Sequence, residues 1–120
     1  MVIDEEKVSM MNEQVTNQIE KTRKILALLY NQFSDIQKVI LFGSRARGDE
    51  EERSDIDVAI DADHIDLAKW NEICLFKDEH LDTLLSVDLI WIQHASAVLK
   101  QRIAKEGVLL FEREIEAKHD

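Results

Sequence analysis

The chain has no proline, three glycines and one cysteine in its 120 residues. Without proline or glycine-rich stretches there is no linker, and no repeat or low-complexity segment divides the chain. One domain spanning residues 1–120 is expected, with the polar residues 1–12 fraying. The lone Cys74 excludes an internal disulfide and a cysteine-based metal cage, and it suits a reducing, cytoplasmic setting. No apolar run approaches the ~18 residues of a membrane span. The opening MVIDEEKVSM lacks the basic and apolar regions of a secretory signal.

Positive charge is also scarce: 15 Lys and Arg stand against 25 Asp and Glu, a formal net charge of −10. Non-specific binding to nucleic acid requires positive charge that displaces phosphate counterions, so it is not expected here. An anionic membrane surface is excluded on the same ground. A phosphate-bearing ligand would have to arrive with its own cations. What the chain does have is a 45% hydrophobic fraction, enough to fill one core.

Apolar or tolerant residues recur at Val15, Ile19, Thr22, Leu26, Leu29 and Phe33, thickened by Ile25 and Leu28. That spacing predicts an amphipathic helix over about 12–33. Lys38–Phe42 is a short apolar run stopped by Gly43, a buried strand, and 45–54 is a turn or short helix followed by a loop. Residues 55–61 alternate, with Ile56, Val58 and Ile60 opposite Asp55, Asp57, Ala59 and Asp61: a half-buried strand. A helix through Ile65, Ala68, Trp70, Ile73 and Cys74, a strand over 84–92, a helix over 95–105 capped by Gly107, and a strand over 108–111 complete the order. The fold class is α/β (α+β), a small mixed sheet flanked by helices.

Two features carry chemistry. Gly43-Ser44 follows a strand directly, where glycine admits close approach of a ligand and Ser44 offers a hydroxyl and an amide to phosphate. Asp55 and Asp57, two residues apart in a strand, share a face with Cα atoms about 6.6–6.8 Å apart. Two carboxylates about 4 Å apart repel by about 4 kcal/mol at an effective dielectric of 20. A hard divalent cation such as Mg²⁺ would offset that repulsion. Asp88 falls between Val87 and Leu89, costly in so apolar a segment unless it also faces the cation.

Each feature has a plainer explanation. The aspartates could be the wet face of an edge strand, Gly-Ser a common strand-ending turn, and Asp88 an exposed or hydrogen-bonded acid. Together, Gly-Ser, ten residues and Asp-x-Asp arise by chance in only about one chain in several hundred. Arg45 and Arg47 could contact a triphosphate, or pair with Asp49, Glu50, Glu51 or Glu52. The four histidines show no metal-ligand spacing, and Trp70, Trp91 and Cys74 are expected to pack in the core.

These residues resemble the nucleotidyltransferase superfamily that includes DNA polymerase beta. GSRARG (Gly43–Gly48), SDIDVAI (Ser54–Ile60), VDLIW (Val87–Trp91) and EGVLLFE (Glu106–Glu112) are similar, more specifically, to the minimal nucleotidyltransferases, across about residues 25–113. The resemblance implies two-metal nucleotidyl transfer from ATP. Asp55, Asp57 and Asp88 would hold Mg²⁺ and form the catalytic set, with Asp88 helping to deprotonate the acceptor hydroxyl. Gly43, Ser44, Arg45 and Arg47 would bind the nucleotide. It also implies an antitoxin that adenylylates a tyrosine of a HEPN-domain ribonuclease toxin, within a homo- or hetero-oligomer. Transfer to a small molecule, or a non-catalytic nucleotide-binding or capping partner, are the alternatives.

Overall fold

A computed structural model describes residues 5–48, 55–81 and 86–114, with side chains of the first helix described from residue 17 onward. The elements run α1 (Glu5–Gln32), β1 (Lys38–Phe42), α2 (Ser44–Arg47), β2 (Ile56–Asp61), α3 (Leu67–His80), β3 (Val87–Trp91), a 3-10 turn (Ile92–His94), α4 (Ala97–Glu106) and β4 (Val108–Glu112). This is the mixed α/β order that the hydrophobic pattern predicts.

The strands form one sheet in the order β3-β2-β1-β4. β1 lies antiparallel to both β2 and β4, whereas β2 and β3 are parallel. A parallel pair cannot be joined by a hairpin, and α3 supplies the crossover. Its first turn is capped by Asp66, whose carboxylate accepts from the Lys69 amide at 2.8 Å. Ser96 caps α4 in the same way through the Leu99 amide at 3.2 Å.

Strand alternation sorts the core into two layers. Val39, Leu41, Ile56, Val58, Ile60 and Val87 pack against Leu26, Leu29 and Phe33 of α1 and Ile73 of α3. On the opposite face, Phe42 and Ala59 meet Ile103 of α4, with Ile40, Ile90 and Leu99 around them. β2 is therefore covered on both faces at Ala59, more deeply than the expected half-buried strand, because α4 lies across it.

Several local expectations are corrected. α1 begins at Glu5, so residues 5–12 of the segment 1–12 expected to fray are helical. Leu28 is 53% exposed rather than part of the buried stripe, and Ala68 is exposed on α3. Cys74 is only half-buried. The third strand ends at Trp91, and Ile92 opens the 3-10 turn. Gly107 does follow α4, yet its backbone is extended (φ −64, ψ 140) rather than left-handed. Its small size is what the position requires: a Cβ there would stand 2.6 Å from Ile40 Cγ2. The tryptophans pack as expected, stacked at 5.4 Å, with Trp91 Nε1 donating to the Ala62 carbonyl at 2.9 Å. The 49–54 loop and the strand residues Leu84 and Leu85 lie outside the described residues.

One long-range tie joins the ends of the fold. The last turn of α1 contains no basic residue, leaving its carbonyls to an outside donor. Arg113, just beyond β4, donates through Nη2 to Tyr30 O at 2.8 Å and through Nε to Ile36 O at 3.1 Å. Tyr30 stacks on Phe111 beside it at 3.9 Å. Replacing Arg113 with Ala leaves these carbonyls without their charged donor. Arg113→Ala should cost about 1.5–3 kcal/mol, read as a lower urea midpoint at unchanged denaturant slope.

Candidate active site

β1 delivers the chain to Gly43, which adopts φ 77 and ψ −157, a conformation open only to glycine. A Cβ on Gly43 would fall 2.5 Å from Asp57 Oδ2, so the turn and the carboxylate occupy one crowded space. α2 is a single turn: the Ala46 and Arg47 amides both donate to Gly43 O at 3.1 Å, and the Gly48 amide donates to Ser44 O at 2.9 Å. Ser44 and Arg45 on this turn are half-buried, and Arg47 is exposed.

The sheet register sets the acids. Asp57 lies opposite Phe42 of β1 on one side and Asp88 of β3 on the other. Asp57 precedes Ala59 by two residues and Asp88 precedes Ile90 by two, so both carboxylates share the α4 face. They stand one step beyond the apolar patch that α4 covers. Asp55 sits just before β2 and is exposed. Burial raises the Asp57 carboxyl above its ordinary value; the charges of Asp88 and Asp55 push the same way, and Arg102 and Arg47 oppose them. Asp88 itself is exposed on an edge strand, so the expected cost of burying it does not arise.

A cleft of ≈ 460 Å³ opens over this end of the sheet. Phe42, Leu89, Ile90 and Leu99 provide apolar surface, Asp57 and Asp88 line it with charge, and Cys74, Lys77 and Arg102 complete it. Burial raises the Cys74 thiol, which keeps it protonated and unreactive at neutral pH. Lys77 Nζ donates to Val87 O at 2.9 Å and pairs with Asp78. Glu106 Oε2 holds Arg47 Nη1 at 3.0 Å and Arg102 Nε at 3.3 Å. Arg47 therefore has a partner on α4.

The structure thus brings Gly43, Asp57 and Asp88 together, with Arg47 and the charge of Asp55 close by. Arg102 and Lys77 also line the cleft, which sequence reasoning does not indicate. Arg102 and Glu106 look in sequence like any solvated i,i+4 pair, and nothing local marks Lys77.

Among the described residues, no three Asp, Glu, His or Cys side chains form a ready metal cage. The donor chemistry nevertheless suits Mg²⁺. The ligands available are hard carboxylate oxygens, with Asp57 raised first by burial and then by the charges of Asp88 and Asp55, and Mg²⁺ binds through one or two carboxylates while taking its remaining oxygens from water and substrate phosphates.

The mixed sheet thus sets the Gly-Ser turn against Asp57, which is in register with Asp88 on the neighbouring strand. The family model described as polymerase beta, nucleotidyltransferase, matches residues 11–116. The chain belongs to that polymerase beta nucleotidyltransferase family.

Among curated proteins, the chain is 37% identical over 90 residues to the protein adenylyltransferase MntA of Shewanella oneidensis, a match covering 73% of this chain. The match spans 63% of that relative's length. Among solved structures, it is similar to a chain of a toxin–antitoxin complex with AMP-PNP, at 29% identity and a TM-score of 0.62. That match covers 77% of this chain and 74% of the other. It is also similar to a chain of the complex between a tri-AMPylated Shewanella oneidensis HEPN toxin and its MNT antitoxin. Here identity is 27% and the TM-score 0.54, over 82% of this chain and 73% of the other.

Two outcomes follow from the crowding at Asp57. Its folded-state pKa lies above the unfolded value, so its ionisation works against folding from the unfolded pKa upward and in full above the folded one. Asp57→Asn should raise the melting temperature of the metal-free protein at pH 7. The gain should shrink as pH falls through the folded pKa, where the wild-type carboxyl is protonated too; thermal melts in EDTA across pH measure both. Gly43→Ala should cost at least about 1–2 kcal/mol from backbone conformation alone, seen as a lowered denaturation midpoint.

Proposed function

We propose that the chain is a Mg²⁺-dependent nucleotidyltransferase that moves AMP from ATP to a tyrosine hydroxyl of a HEPN-domain toxin, and so acts as its antitoxin. The observation that carries this reading is the meeting of the Gly43 turn with Asp57, itself in register with Asp88. The named activity of the curated relative and the composition of the similar complexes supply the acceptor class. The reducing cytoplasm suits a chain with a single half-buried cysteine.

In this reading Gly43 and Ser44 receive the β- and γ-phosphates, with Arg45 and Arg47 adding positive charge. Asp55, Asp57 and Asp88 hold Mg²⁺. When bound, the cation neutralises the phosphate oxygens and stabilises charge on the attacking and leaving oxygens. Asp88 accepts the acceptor hydroxyl's proton on a carboxylate oxygen. A bond forms between the tyrosine oxygen and Pα as the bond from Pα to the bridging oxygen of Pβ breaks, and pyrophosphate leaves in line. The exposure of Asp88 on an edge strand favours an acceptor presented by another protein chain, since nothing described on that edge covers it.

The test uses ATP labelled on the α-phosphate, Mg²⁺, the purified protein and the HEPN-domain protein of its source. The wild type should label the partner, whereas Asp55→Asn/Asp57→Asn and an EDTA control should not, and mass analysis should place the adduct on a tyrosine. Label appearing only on small molecules would replace the acceptor, and neutralisation of the partner by the double variant would make the protein a capping module.

A further inference from the structure

We propose that Arg102 of α4 binds the polyphosphate end of the nucleotide, its guanidinium meeting the oxygens of the β- and γ-phosphates. This deepens the nucleotidyl-transfer reading above and rests on it for the identity of the ligand.

Arg102 lines the same cleft as Asp57 and Asp88. It is held there by Glu106, whose one oxygen also binds Arg47 of α2. That shared carboxylate ties the turn beginning at Gly43 to the third turn of α4, bringing two guanidinium groups to the phosphate side of the cleft. Glu106 engages Arg102 through Nε. Among the described residues, the terminal Nη pair, the part of the fork that grips an anion side-on, makes no hydrogen bond.

Electrostatics gives such a group a task. The chain carries a net charge of −10, and Asp55, Asp57 and Asp88 add their repulsion at the place where a triphosphate must settle. Arg102 is the foremost positive influence on Asp57, ahead of Arg47. A guanidinium half-exposed at the cleft (50%) can turn toward an incoming anion without leaving a buried counter-charge unpaired. Its ion pair with Glu106 is a surface i,i+4 contact that contributes little to stability. The position is therefore costly to lose for binding and cheap to lose for folding.

Calorimetric titration of the purified protein tests this without turnover, using Mg²⁺ with ATP and Mg²⁺ with inorganic tripolyphosphate. Arg102→Ala should weaken both by the same factor, about 10- to 100-fold. Arg102→Lys, which keeps the charge and loses the fork, should fall between Arg102→Ala and wild type. Lys100→Ala removes an equal charge from an exposed position on α4 outside the cleft and should stay within about twofold of wild type. All variants should melt within a few degrees of wild type.

The proposal is overturned if Arg102→Ala binds ATP within about twofold of wild type. A loss for ATP without a matching loss for tripolyphosphate, an equal loss in Lys100→Ala, or a wild type that does not bind Mg²⁺-ATP also sinks it. A wild type that binds ATP but labels no acceptor defeats the AMP-transfer reading alone, and the role of Arg102 is then decided by the titrations.

Discussion

The site depends on one close approach: the Asp57 carboxylate lies where a side chain on residue 43 would otherwise be. That contact requires glycine at the end of β1, and Gly43's positive φ turns the chain sharply into α2. It also requires β1 and β2 to be antiparallel neighbours, since only the Phe42–Asp57 register sets the turn beside the acid. The sheet order follows from the same demand. With β2 between β1 and β3, a single residue touches the turn on one side and Asp88 on the other. The core behind it, from Leu26 and Leu29 of α1 to Ile73 of α3, holds β2 rigid against the repulsion that three aspartates concentrate there.

The opposite face has the complementary role. α4 covers Phe42 and Ala59 with Ile103, and stops short of the carboxylates two residues away along the strands. A helix extending further would bury the acids, and one set further back would leave the apolar floor wet. Its C-terminal end carries Glu106, which collects Arg47 and Arg102. Burial pushes the Glu106 carboxyl up, but the hydrogen bond from Arg102 and the charge of Arg47 outweigh it and leave its pKa lowered. Glu106 thus holds both arginines close to the Gly43 turn in a protein of net charge −10.

Much of this was legible in the chain. The 4-3 spacing of Thr22, Leu26, Leu29 and Phe33 marks α1 because a helix must bury one stripe. The run Lys38–Phe42 and the alternation after Asp55 mark β1 and β2. Gly-Ser and Asp-x-Asp stood out as candidates because both lie at strand ends, where local geometry alone aims side chains and amides. Leu28 was misplaced because a stripe's width depends on what packs against it. The depth of Ala59 and the exposure of Asp88 depended on α4 and on which strand lies at the edge; neither is a local property.

By itself the sequence determined the element types, their order, and the chemistry available: carboxylates at i and i+2, a glycine turn, and a net charge of −10. These are short-range consequences of side-chain period and backbone freedom. Only the tertiary structure decided that Asp57 faces Asp88 in parallel register, that Arg47 meets Glu106 of α4, and that Arg102 and Lys77 reach the cleft. Those pairings join residues tens of positions apart. No period or motif encodes them, because they exist only once the strands have chosen their neighbours and α4 has settled across the sheet.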